Sequence, residues 1–71
     1  GTEIAVCIKR TNNGFRLNLR SNGKADVAEV AMKFGGGGHI KAAGATLDFD
    51  STEKAEMAVI DACKRALDKI I

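Results

Sequence analysis

Proline, tryptophan and tyrosine are missing from this 71-residue chain, and histidine occurs once. Each gap closes a route. Without proline, the chain is expected to form regular elements joined by few rigid turns. Without Trp or Tyr, and with Phe15, Phe34 and Phe49 all at positions patterned as core, it offers no base-stacking platform. Two cysteines far apart in sequence, Cys7 and Cys63, make neither a disulfide framework nor a zinc-ligand set. Both are expected as buried thiols of a protein in a reducing cytoplasm. No Ser/His/Asp set, Cys/His pair or metal cluster is demanded by any spacing, so no catalytic residue is assigned. No apolar run approaches the roughly 18 residues of a membrane span, and no signal-peptide pattern opens the chain.

What is present fits one small α+β domain over residues 1–71. A chain of this length buries only about 60% of the surface its unfolded form exposes, which favours docking on a partner domain or self-association as a homodimer. It opens on Gly1 rather than methionine and reads as a piece of a longer protein. The net charge of +2 hides an asymmetry. Residues 1–44 carry seven Lys/Arg against three Asp/Glu, and residues 45–71 carry four against six. An anionic partner is therefore expected at the first part of the chain.

Residues 3–10 alternate as a strand, with Ile4, Val6 and Ile8 on one side. Thr11-Asn12-Asn13-Gly14 suits a tight hairpin turn, since Asn-Gly tolerates positive φ. Phe15, Leu17 and Leu19 then alternate with Arg16, Asn18 and Arg20 as a half-buried strand. Asp26 and Glu29 form a capping-box-like start to a short helix, whose stripe is Val27, Val30, Ala31 and Phe34. Ala45, Leu47 and Phe49 alternate as a third strand. Asp50 or Ser51 caps a second helix through Ile71, with a face of Ala55, Ala58, Val59, Ala62, Cys63, Ala66, Leu67 and Ile70. The order is β-β-α-β-α.

Between the first helix and the third strand lies Phe34-Gly35-Gly36-Gly37-Gly38-His39-Ile40-Lys41-Ala42-Ala43-Gly44. Four consecutive glycines are costly to order, so a domain this short keeps them for a local use. Successive amides in such a run can form a nest that binds an anion. His39 can donate from either ring nitrogen to a phosphate oxygen. The run is not a triphosphatase P-loop, which needs Gly-Lys-Ser/Thr after a strand. Any four glycines satisfy the GXXG of KH domains, and the KH element order differs. A flexible connector is the plain alternative.

Arg20, Ser21 and Lys24 form a second cluster before the first helix. A guanidinium fork beside a hydroxyl suits phosphate or carboxylate, and amides at a helix start favour an anion. Ser21 and Gly35 stand at opposite ends of that helix, about 13 Å apart. The loop from Gly35 to Gly44 is long enough to return, because ten residues span up to about 33 Å. Whether the clusters meet is left open by the sequence.

Arg20-Ser21-Asn22-Gly23-Lys24, Asp26-Val27 and the run from Phe34 to Gly44 resemble the DHH-associated C-terminal domain of DHH-superfamily phosphoesterases. The similarity is to the exopolyphosphatase-related and RecJ-like group, including oligoribonucleases that also dephosphorylate 3′-phosphoadenosine 5′-phosphate. It is strong over residues 14–50. Alanyl-tRNA synthetases carry a more distant version without this His-x-x-Ala-Ala-Gly ending. The resemblance implies a substrate-binding domain that closes over a separate N-terminal DHH domain holding manganese or magnesium. It places Arg20, Ser21, Gly37, Gly38 and His39 on a substrate phosphate or terminal nucleotide, with Gly36 in the same glycine cradle. No Asp-His-His motif occurs here, so the chain alone is expected to hydrolyse nothing. The implied ligands are short oligonucleotides or nucleotide phosphates. A non-catalytic nucleotide-binding or dimerisation module is the alternative.

Overall fold

The computed structural model describes residues 3–69. Its elements are β1 (Ile4–Thr11), β2 (Gly14–Ser21), α1 (Val27–Met32), β3 (Gly37–His39), β4 (Ala42–Leu47) and α2 (Thr52–Asp68). The strands form one antiparallel sheet in the order β1-β2-β4-β3. The order is thus β-β-α-β-β-α, an α+β fold with one strand more than the alternation predicts. The extra strand is β3, cut from the glycine run. Three residues of Gly-Gly-His hold no apolar alternation by which a strand is recognised. β4 begins at Ala42 and ends at Leu47, so Phe49 lies beyond it. β2 leads through α1 to β3, which runs parallel to β2 with β4 inserted between them.

One face of the sheet is buried. Phe15, Leu17 and Leu19 of β2 and Ala45 and Leu47 of β4 join Val27, Val30 and Ala31 of α1 in a single core. α2 adds Ala55, Val59, Ala62, Cys63 and Ala66. Three of those five are alanines, which lets the helix axis approach closely. Phe34 and Phe49 are half-buried and meet edge to face, with centroids 6.4 Å apart. Val6 is 44% exposed although it shares its face with Leu19, because β1 is a sheet edge.

The helix starts follow their caps. Asp26 accepts from the Glu29 amide at 3.1 Å, and Ser51 accepts from the Lys54 amide at 3.2 Å. Asp50 instead pairs with the Lys54 ammonium. Ile70 and Ile71, assigned by periodicity to the second helix, lie outside the described residues.

Two expectations are corrected. The first hairpin is tight, with Thr11 paired to Gly14, but no described residue other than glycine has positive φ. Gly14 itself takes φ +150°, and a Cβ there would strike the Leu47 carbonyl. The glycine is required by this positive φ and by the close approach of β4, whereas Asn13 needs no positive φ. Cys7 is exposed, because odd-numbered β1 residues face away from the helices; only Cys63 is buried. Burial pushes the Cys63 thiol above its ordinary value of 9.0.

Candidate functional site

The sheet face opposite the helices is open. Its composition follows from register. Arg20 stands beside Ala42, and Ala42 beside His39; Asn18 stands beside Gly44, and Gly44 beside Gly37. Arg16 stands beside Thr46, with Lys9 on the β1 side. The middle of this face therefore carries only Gly37, Ala42 and Gly44. Larger polar side chains border it, leaving a depression of about 350 Å³ along Arg16, Asn18 and Arg20.

Of the two clusters predicted from sequence, Arg20 and the His39 end of the glycine run come together here. Arg20 and His39 share one register row and are about 10 Å apart, two strand spacings. The return path is fixed by backbone bonds: the Ser21 amide donates to the Lys41 carbonyl and the Val27 amide to the Ile40 carbonyl, both at 2.9 Å. The separation along α1 is cancelled by a hairpin that doubles back beside β2.

The four strands contain Lys9, Arg10, Arg16, Arg20 and His39 and no Asp or Glu. Ion pairs among the described residues link α1, α2 and their flanks: Lys54 with Asp50, Arg65 with Asp61, and Lys69 with Glu29. Neither Arg16 nor Arg20 pairs with a carboxylate among the described residues. Unneutralised guanidinium groups on one face attract an anion.

The glycine run is divided between two tasks. The Gly36 amide donates to the Ala31 carbonyl at 2.9 Å and the Gly35 amide to the Met32 carbonyl at 3.1 Å. With Gly35 at φ +79°, these bonds form a Schellman termination of α1. The Gly35 and Gly36 amides are thereby spent, and the run is not the continuous nest expected. Gly36 also packs against Gly44 and Ala45, where a Cβ would strike backbone. Gly37 and Gly38 belong to the edge strand β3 and border the depression.

Ser21 and Lys24 are placed elsewhere. Ser21 is buried on the helix side, beside Ile4 in register, and its hydroxyl accepts from the Gly23 amide at 3.4 Å. The turn after β2 already holds an anion, the Glu3 carboxylate, which accepts from the Lys24 amide at 2.7 Å. The start of α1 holds another in Asp26. The protein's own carboxylates thus fill the anion positions expected there.

Arg16 and Asn18 were not singled out by motif, and Gly44 only as the end of the glycine run, yet all three line the depression. The available signal was the period-two spacing of Arg16, Asn18 and Arg20 on one strand face. No group of three or more His, Cys, Asp or Glu comes together for a metal ion among the described residues. No helix among them is long and apolar enough to cross a membrane.

Comparison with known proteins gives the family and the fold. The family model described as the DHHA1 domain matches residues 1–69. The bifunctional oligoribonuclease and PAP phosphatase NrnA of Thermus thermophilus is 34% identical over 67 residues, covering 94% of this chain and 21% of that protein. Its namesake in Mycoplasma pneumoniae is 40% identical over 60 residues, covering 84% of this chain and 17% of that protein. A crystal structure of an exopolyphosphatase-related protein from Bacteroides fragilis superposes with TM-score 0.77 at 25% identity, covering 87% of this chain and 18% of that one. The chain spans about a fifth of the length of the curated relatives it matches.

Proposed function

The chain belongs to the DHHA1 domain family, and on that premise we propose that it is the substrate-binding domain of a DHH phosphoesterase. The substrates proposed are short oligonucleotides and 3′-phosphoadenosine 5′-phosphate. The observation that carries this reading is the uncovered cationic face, with Arg20 and His39 in one row beside a floor of Gly37, Ala42 and Gly44. A guanidinium fork and an imidazole N–H both donate to phosphate oxygens. The small floor lets sugar and phosphate approach the backbone. With no aromatic side chain among the residues bordering the depression, grip falls on phosphate and sugar rather than on base identity.

Among the described residues no group of three or more His, Cys, Asp or Glu comes together to hold a metal ion. The manganese or magnesium ions of such an enzyme, which activate water for attack on phosphorus, are assigned to an N-terminal DHH domain outside this chain. This domain's part is to hold the phosphate and present it. A cytoplasmic enzyme is the natural setting for substrates of this kind.

The test is kinetic, in the whole enzyme. Arg20→Ala and His39→Ala should each lower kcat/KM about 10- to 100-fold, since a hydrogen bond to a charged group is worth about 1.5–3 kcal/mol. Both side chains are exposed, so thermal unfolding should be unchanged. Unchanged kcat/KM in both variants would remove the site assignment. Salt-sensitive nucleotide binding by an intact parent protein that turns nothing over would point to a binding module instead.

A further inference from the structure

We propose that Arg16 is a second phosphate contact, engaged by substrates that carry a third backbone phosphate, such as a 5′-phosphorylated trinucleotide, and left vacant by shorter ones. The proposal deepens the reading above and rests on it. Arg16 and Arg20 lie four residues apart on the same face of β2, which separates their Cα atoms by about 13 Å along the strand. The depression runs between them, past Asn18. Its two ends differ. At the Arg20 end, His39 stands in the same register row, so a phosphate there meets two donors. At the other end Arg16 has Thr46 on one side and Lys9 on the other.

The Arg16 side chain does not simply extend into solvent. A Cβ built on Gly44 would lie 2.8 Å from Arg16 Nη2. The guanidinium therefore crosses toward β4 and rests over the one position in that strand that lacks a side chain. Gly44 has no positive φ to explain its glycine. Room for Arg16, together with the Leu17 carbonyl 2.9 Å from the same built Cβ, does explain it. Arg16 has no carboxylate partner among the described residues, so its charge is free for a ligand.

Two cationic positions at opposite ends of one trench, with no acid on the strands between them, match an extended polyanion. A nucleotide held by phosphate at the Arg20 end carries its remaining phosphate on the same ribose. A 5′-phosphorylated dinucleotide has the same two phosphates on its first ribose, so only the third phosphate of a trinucleotide lies further along β2, toward Arg16. Arg16 thus reads length, whereas Arg20 and His39 serve every substrate.

The test compares a 5′-phosphorylated dinucleotide and trinucleotide with 3′-phosphoadenosine 5′-phosphate, using the whole enzyme. Arg16→Ala should lower kcat/KM for the trinucleotide about tenfold, chiefly through KM, and leave the dinucleotide and 3′-phosphoadenosine 5′-phosphate within about twofold. The slope of log kcat/KM against log salt should become shallower by about 0.7 for the trinucleotide alone, the loss of one phosphate contact on a single strand. Arg16→Gln, which keeps the length and removes the charge, should do the same. Equal losses on all three substrates, or no loss on any, would overturn the proposal. Arg20→Ala run beside it separates the two readings. If Arg20→Ala is silent on every substrate the shared site is wrong. If it impairs all three while Arg16→Ala is silent, only the length contact is wrong.

Discussion

The four glycines at 35–38 look identical in sequence, and the structure predicts three different responses to alanine. At Gly36 a methyl group would lie 2.6 Å from Ala45 Cβ and 2.7 Å from its Cα, and would also strike the Gly44 carbonyl. None of these is a flexible side-chain tip, so backbone must move. Overpacking of this kind costs about 1–3 kcal/mol. Gly38 is comparable, because its methyl would lie 2.7 Å from the Ala42 carbonyl oxygen and φ is +142°. Gly35 has open space around it but φ of +79°, which costs an L-residue about 1–2 kcal/mol. Reduced freedom of the unfolded chain returns about 0.4–1 kcal/mol of that. Gly37 has open space and no positive φ, so alanine there should be neutral or stabilising. A domain of this size has roughly 4–10 kcal/mol of stability in total, which makes these differences large. Urea unfolding followed by circular dichroism reads them directly. With a slope of about 1 kcal/mol per molar, Gly36→Ala and Gly38→Ala should lower the midpoint by about 1–3 M. Gly35→Ala should lower it by no more than about 1.6 M, and Gly37→Ala should not lower it. A Gly37→Ala variant as damaged as Gly36→Ala would refute the division of the run into a helix terminator and an edge strand.

Two further predictions concern the core and the caps. Asp26→Ala and Ser51→Ala should each cost about 1 kcal/mol in urea unfolding, since each leaves a helix-start amide without its acceptor; a neutral result at both would show that the caps are not holding the helices. A thiol reagent should modify exposed Cys7 in the folded protein and reach Cys63 only on unfolding. Because burial raises the Cys63 value above 9.0, the unfolded state loses that proton first as pH rises. The stability is therefore full below about pH 9 and should fall as pH climbs through the folded value, and Cys63→Ala should flatten that decline. Equal labelling of both thiols at neutral pH would contradict the burial.

The elements were legible wherever the chain repeats. Alternation of Phe15, Leu17 and Leu19 against Arg16, Asn18 and Arg20 gave β2 and its two faces, because the strand period is two and one face is buried. Asp26 and Ser51 stood where caps were expected. The glycine run was legible as unusual, and the motif around it placed Arg20 and His39 in one family pattern. Its inner structure was not legible, since glycine carries no side chain by which burial, φ or pairing shows itself. Cys7 misled for a related reason: small residues fit either face of an edge strand.

Sequence by itself determined the two-sided β2 strand, the helix starts, the cationic first half and the family motif, since each is local and carried by side-chain type. Tertiary structure alone decided that the motif's halves meet. That outcome depends on β4 pairing between β2 and β3, a non-local register set by core packing of Leu17, Ala45 and Leu47. The same register laid Arg16 across Gly44, and the β1–β2 register put Ile4 beside the inward Ser21 and Glu3 in the turn. Residues 28 positions apart became neighbours because burying one sheet face orients every side chain on the other.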